Sequence, residues 1–249
     1  MTWKHVIPNT LTTCNLISGL IAITQVFQGD LVVASFFIFI AAAFDFFDGL
    51  AARLLDAHST LGKQLDSLAD LVSFGVAPAL IVFDLLWAGC QGSGNILERL
   101  HITPYFALLI PVCSAFRLAK FNLDIRQEEY FIGLPTPANA IFFASFPLIL
   151  MQTPLQISII PLDFFRDFFS QSRVLAILTV LFSYLLISDF RMFSMKFRNL
   201  SWRGNVPRYI FLILAVIYLM FFGICAIPLI ILTYFILSLF FQKQIIRQE

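Results

Sequence analysis

Asp45-Phe46-Phe47-Asp48-Gly49-Leu50-Ala51-Ala52-Arg53, then eight residues, then Gly62-Lys63-Gln64-Leu65-Asp66-Ser67-Leu68-Ala69-Asp70: this stretch sets four aspartates among apolar runs long enough to cross a bilayer. An ionised carboxylate in hydrocarbon costs several kcal/mol or more, so a chain that carries four must give them partners. The nearest bases, Arg53 and Lys63, are too few. The missing partner suggested by an all-oxygen donor set is one divalent cation or two, Mg²⁺ or Mn²⁺ rather than Zn²⁺.

The rest of the chain places this stretch in a membrane. Of 249 residues, 59% are hydrophobic, 12% are charged, 30 are phenylalanine, and the mean hydropathy is +0.88. Soluble domains carry about 25% charged residues. The expectation is an all-α, polytopic membrane helix bundle forming a single domain over residues 1–249. A net charge of +1 gives no reason to expect a nucleic-acid partner. The cysteines, Cys14, Cys90, Cys113 and Cys225, form no CxxC pair and read as small hydrophobes in packed helices.

A spanning helix needs about 20 mostly apolar residues. Eight candidates are present, at 7–27, 31–55, 61–88, 103–122, 137–152, 173–190, 206–223 and 225–242. The first is read as a retained helix, since its apolar run is long and no A-x-A cleavage signal follows. Residues 157–171, aromatic with interspersed charge, read as an interfacial segment on the outer face. With both termini cytoplasmic, thirteen lysines and arginines fall inside and three, Arg99, Arg166 and Arg173, outside. The positive-inside rule then puts all four aspartates near the cytoplasmic face, where a soluble headgroup and a polar acceptor are available.

Helical spacing gathers the acids. At 100° per residue, Asp45, Asp48, Gly49, Ala52 and Arg53 share about 140° of one face, and Gly62, Asp66 and Asp70 about 80° of the next helix. Two opposed faces would surround one small volume, a geometry suited to a two-metal clamp on an in-line displacement. Gly49, Ala52 and Gly62 either let the helices approach closely or leave space for a ligand. Arg53 is either a snorkelling arginine or a diphosphate contact.

The pattern D-x2-D-G-x2-A-R-x8-G-x3-D-x3-D, filled at every fixed position, resembles the signature of the CDP-alcohol phosphatidyltransferase family. Those are membrane enzymes that move a phosphatidyl group from a CDP-linked lipid to an alcohol. The resemblance implies Asp45, Asp48, Asp66 and Asp70 as ligands of two divalent cations. It implies Asp70 as the base that takes the alcohol proton, with a plain metal ligand as the alternative. Gly49, Ala52, Arg53 and Gly62 would border the CDP group, as would Asn9 and Asn15 from the opening helix. A homodimer is implied as well.

Three further stretches narrow the resemblance to the serine-using branch of the family. They are Ile7-Pro8-Asn9-Thr10-Leu11-Thr12-Thr13-Cys14-Asn15-Leu16-Ile17-Ser18-Gly19, Ala115–Asn122, and Phe131-Ile132-Gly133-Leu134-Pro135-Thr136-Pro137-Ala138-Asn139. The implied substrates are CDP-diacylglycerol and L-serine, with catalysis at the cytoplasmic face of a bacterial inner membrane. The catalytic core is expected over about 7–152 and the C-terminal helices over about 173–242. A serine carboxylate needs donors. Arg117 and Lys120, spaced i,i+3, and a helix start at Thr136-Pro137, read as N-cap and N1, are the candidates, with topology-setting charge as the other reading of the two bases. The rival functions are the same transfer to inositol phosphate or glycerol phosphate, an aspartate-rich intramembrane prenyltransferase, and a cation transporter. A transporter would place its acids near the bilayer midplane rather than at one interface.

Overall fold

The computed structural model describes residues 3–57, 59–90, 102–123, 131–150, 163–192 and 202–241. Of the sequence expectations, Arg99, Arg126, Lys196, Arg198, Lys243 and Arg247, residues 157–162 of the interfacial segment, and the far ends of the fifth and last spans lie outside the described residues.

The first two helices form a long antiparallel pair. α1 (Trp3–Phe27) ends at Gly29, whose φ of 80° reverses the chain, and Asp30 caps α2 (Leu31–Leu54) by accepting from the Val33 amide at 3.0 Å. Leu31, Ala34, Ile38 and Ala41 make the buried stripe of α2, meeting Ala22 and Val26 of α1. Asp48 continues that stripe toward the helix end, so the fold buries it by position alone.

α3 (Thr60–Cys90) starts from Ser59, whose hydroxyl accepts from the Gly62 amide at 2.9 Å. It is one apolar helix interrupted by a π turn over Leu71–Val76, immediately after Asp70. Two features favour the wide turn. Pro78 lacks the N–H that an α-helix would direct to Phe74, and Ser73 donates instead to the Asn15 carbonyl of α1 at 3.0 Å. The turn resets helical register, so Asp66 and Asp70 face the acids of α2 while Phe74, Ala77 and Ile81 enter the apolar core.

α4 (Thr103–Leu123), α5 (Thr136–Leu150), the short α6 (Asp163–Ser170), α7 (Ser172–Ile187), α8 (Trp202–Phe222) and α9 (Ala226–Phe240) complete the bundle. α5 is the hub. Phe142, Phe143 and Phe146 are buried on it, with Phe182 of α7 stacked 3.9 Å from Phe142 and Phe169 of α6 beside Phe146. The α8–α9 hairpin turns through Gly223–Cys225, with φ 57° at Gly223. The one strand pairing among the described residues is a two-residue antiparallel bridge, Phe131–Ile132 with Arg191–Met192.

Among the described residues five helices, α1, α2, α3, α4 and Asn205–Phe222 within α8, are long and apolar enough to cross a membrane. α5, α7 and α9 fall at three further predicted positions but are shorter, at 15, 16 and 15 residues. The chain is an all-helical, integral membrane protein. Contacts between helix ends sort the chain into two sides. On one side Lys63 reaches the Asn122 carbonyl, Lys120 meets Asp189, and the bridge joins the segments after α4 and α7. On the other, Phe83 and Trp87 of α3 meet each other and Tyr105 of α4 meets Phe83. The four cysteines are free thiols.

Candidate active site

α2 and α3 bring their carboxylates together as their spacing predicts. Oxygens of Asp45, Asp48 and Asp66 all lie within 4.8 Å of one another. The Asp70 carboxyl lies against that of Asp45. Asp48 and Asp70 are buried, Asp45 and Asp66 half-buried.

α1 supplies the neutral donors. Thr12 Oγ1 donates to Asp48 Oδ2 at 2.7 Å, and Asn15 Nδ2 to Asp70 Oδ1 at 3.1 Å. Asn15, expected near a nucleotide, hydrogen-bonds the last aspartate. Thr12 has no role in the sequence reading. Its signal was its position three residues before Asn15, which puts both on one face of α1. The close packing that fixes this face is backbone to backbone. A Cβ at Gly19 would collide with the Cα and side chain of Ser73 in the π turn.

The donor set fits a hard divalent cation. Four carboxylates converge, Asp66 Oδ1 is buried without a hydrogen-bond partner among the described residues, and every available donor is oxygen. Lys63 does not neutralise the group, since its ammonium donates to the Asn122 carbonyl at 3.2 Å.

The small residues separate into two roles. A Cβ at Gly62 would stand 3.2 Å from Asn9 Oδ1 and 2.9 Å from Ser59 Oγ, so that glycine permits close approach of α1 to the start of α3. At Gly49 a Cβ would meet nothing within 4 Å, so that glycine faces open space. Arg53 is exposed and folds back along α2, its Nε donating to the Gly49 carbonyl at 2.9 Å, which holds the guanidinium beside this space. Ala52 is half-buried on the same helix.

A cavity of about 560 Å³ opens from the acids. Asp45, Asp66 and Asp70 line it together with Lys63, Arg117, Pro135, Pro137 and Ala138. Arg117 is buried, only 8% exposed, donates through Nη1 to Thr136 Oγ1 at 2.7 Å, and has no partner for Nε among the described residues. Lys120 is not part of this group. It is exposed, 3.9 Å from Asp189 Oδ1, at the end of α7. Thr136 is the first residue of α5 rather than its cap, because the Pro135 carbonyl accepts from the Asn139 amide, and its hydroxyl serves Arg117. Asn139, buried one turn further on, has both side-chain polar atoms unpartnered among the described residues.

The family model described as CDP-alcohol phosphatidyltransferase matches residues 5–185. A protein of Bacillus subtilis named CDP-diacylglycerol–serine O-phosphatidyltransferase is 38% identical over 135 residues, 53% of this chain and 69% of that one. One of the same name from Saccharomyces cerevisiae is 43% identical over 115 residues, 43% of this chain and 38% of that one. An archaetidylserine synthase of Methanothermobacter thermautotrophicus is 33% identical over 145 residues, 57% of this chain and 58% of that one. The chain thus spans about two thirds of the Bacillus relative and a smaller part of the other two.

Proposed function

The chain belongs to the CDP-alcohol phosphatidyltransferase family, and we propose that within it this protein transfers the phosphatidyl group of CDP-diacylglycerol to the hydroxyl of L-serine, releasing CMP. The observation that carries the reading is the shared cavity. One volume of about 560 Å³ is lined both by the carboxylate cluster and by a buried arginine whose Nε has no partner among the described residues. A diphosphate with its counter-ions suits the carboxylates and a small carboxylate suits the arginine. Relatives named for serine transfer in three groups of organisms support the same acceptor.

In this reading Asp45, Asp48, Asp66 and Asp70 would hold two divalent cations, Mg²⁺ or Mn²⁺, which when bound neutralise the diphosphate and the charge that develops on the leaving phosphate. Thr12 and Asn15 fix the rotamers of Asp48 and Asp70. The open space beside Gly49, with Arg53 over it, takes the nucleotide, and Ala52, Gly62 and Asn9 shape its edge. Arg117, oriented by Thr136, binds the serine carboxylate and aims the hydroxyl at the phosphorus that bears the lipid. Asp70 takes the hydroxyl proton as the new oxygen–phosphorus bond forms and the bond to CMP breaks. Lys120 pairs with Asp189 and holds α4 to the end of α7. The site faces the cytoplasm, supported by the lysine and arginine distribution. The full set of eight spans and a homodimeric assembly belong to the same proposal.

The test is purified protein in detergent with CDP-diacylglycerol, Mg²⁺ or Mn²⁺, and labelled serine, inositol phosphate or glycerol phosphate, read as CMP release and labelled lipid. Serine alone should give both. Transfer to a phosphorylated alcohol in place of serine overturns the acceptor and leaves the phosphatidyl chemistry. Within the serine reaction, Arg117→Ala should raise the KM for serine roughly tenfold to a hundredfold and that for CDP-diacylglycerol little.

A further inference from the structure

Serine carries an α-ammonium as well as a carboxylate and a hydroxyl. Arg117 cannot serve the ammonium, since a guanidinium has only donors. Aspartates that hold divalent cations have their lone pairs committed. A neutral oxygen on the cavity wall is what an ammonium then needs.

Asn122, near the end of α4, lines the cavity, as do Lys63, Asp66 and Ser67 of α3. Its amide has a fixed sense. Ser67 Oγ has one proton and gives it to the Lys63 carbonyl at 3.1 Å. Toward Asn122 the hydroxyl is therefore an acceptor, and Asn122 Nδ2 donates to it at 2.8 Å. The oxygen end of the amide is left over: Oδ1 is buried and has no hydrogen-bond partner among the described residues. A buried acceptor without a donor is costly, so its retention points to a donor that arrives with a ligand. Lys63 lines the cavity too, yet its ammonium donates to the backbone carbonyl of Asn122 at 3.2 Å and not to Oδ1. The charge of Lys63 opposes an incoming ammonium, and the carboxylates together with a substrate diphosphate offset it. Ser67 directly follows Asp66, so the bond that orients the amide ties it to the helix that carries Asp66 and Asp70.

We propose that Asn122 is a specificity residue of the acceptor pocket, its Oδ1 accepting a hydrogen bond from the α-ammonium of the amino acid whose carboxylate Arg117 holds. One helix, α4, then reads both charged groups of the acceptor, and a hydroxy acid or an amino alcohol satisfies only one of the two contacts. This rests on the serine reading given above.

The experiment compares wild type, Asn122→Ala and Asn122→Asp in the purified-protein assay, varying serine and CDP-diacylglycerol separately. 3-Hydroxypropionate, which is serine without its amino group, is added as a competitor of labelled serine. A hydrogen bond to a charged group is worth roughly tenfold to a hundredfold in binding, so Asn122→Ala should raise the KM for serine by that factor. The inhibition constant of 3-hydroxypropionate and the KM for CDP-diacylglycerol should stay nearly constant. Asn122→Asp keeps an acceptor oxygen, so it should use serine within a few-fold of wild type and favour serine over 3-hydroxypropionate at least as strongly. An unchanged KM for serine in Asn122→Ala overturns the assignment, as does an equal rise in the serine and 3-hydroxypropionate constants, which is what a merely structural tie between α3 and α4 would give. If the alanine variant does not fold, loss of the preference for serine over 3-hydroxypropionate in Asn122→Asp overturns it equally. Wild-type protein that is idle with serine but active with another alcohol overturns the acceptor reading itself, and Asn122 as an ammonium acceptor falls with it.

Discussion

Replacing Thr12 by valine isolates one hydrogen bond at the centre of the site. Thr12 Oγ1 is 2.7 Å from Asp48 Oδ2 and 3.1 Å from the Pro8 carbonyl, and a hydroxyl has one proton to give. The carboxylate is the nearer and the more strongly accepting partner. Valine keeps the β-branch and the packing of α1 on α2, and removes the donor. A hydrogen bond to a charged group is worth about 1.5–3 kcal/mol, which is roughly a factor of 10 to 150. Loss of a group that orients a metal-binding side chain typically costs about 10–100-fold in metal affinity or activity, so two independent scales agree. The assay is initial rate against Mg²⁺ and Mn²⁺ concentration at saturating substrates, with a thermal melt of the same preparation. Thr12→Val should need about tenfold or more cation for half-maximal rate while melting near wild type. Thr12→Ser, which keeps the donor, should stay within a few-fold of wild type. A valine variant with unaltered cation dependence and rate would refute the view that α1 organises the carboxylates.

Three other outcomes follow from the same geometry. Asp45→Asn, Asp48→Asn, Asp66→Asn and Asp70→Asn should each abolish CMP release while the protein remains folded in detergent; near wild-type rates in two of the four at saturating Mg²⁺ and Mn²⁺ would break the idea of one shared site. Gly19→Ala forces a Cβ into the Ser73 backbone and should cost about 1–3 kcal/mol by overpacking, seen as a lower melting temperature together with a lower rate, since Thr12 and Asn15 ride on the same helix. In a variant stripped of its own cysteines, Gln64→Cys should resist a membrane-impermeant thiol reagent added to intact cells and Ile102→Cys should react; the reverse would move the carboxylates to the other face of the membrane.

What could be read from the sequence, and what could not, divides along a physical line. The aspartates were legible because charge in apolar sequence is costly, so its retention is informative, and because helical spacing alone gathers Asp45 with Asp48 and Asp66 with Asp70. The helices were legible from hydropathy, although α7 and α9 are shorter than the apolar runs that predicted them. The π turn was not legible. It depends on a proline that leaves a carbonyl unserved and on a serine bonding to a different helix, and neither alters the apolar pattern. Arg117 and Lys120 read as a pair because i,i+3 residues neighbour one another, but side-chain direction depends on the partners at hand. Thr136 draws one inward, and Asp189 draws the other outward.

Asn9, Thr12, Asn15 and Gly19 show what the site demands of a helix that brings no charge to the carboxylates. At 100° per residue they fall on one side of α1. Asn9 stands against Gly62, Thr12 holds Asp48, Asn15 holds Asp70, and Gly19 seats the helix on the π turn. Four carboxylates on two helices would repel one another and splay apart. Neutral donors on a third helix orient the carboxylates without neutralising them, and so leave their charge for cations and substrate. A lysine at either donor position would form an ion pair and remove the site's reason to bind metal. An alanine would leave an acid without its donor. The side chains of α1 are therefore polar and uncharged where they meet the carboxylates, and that restriction follows from what the carboxylates have to bind.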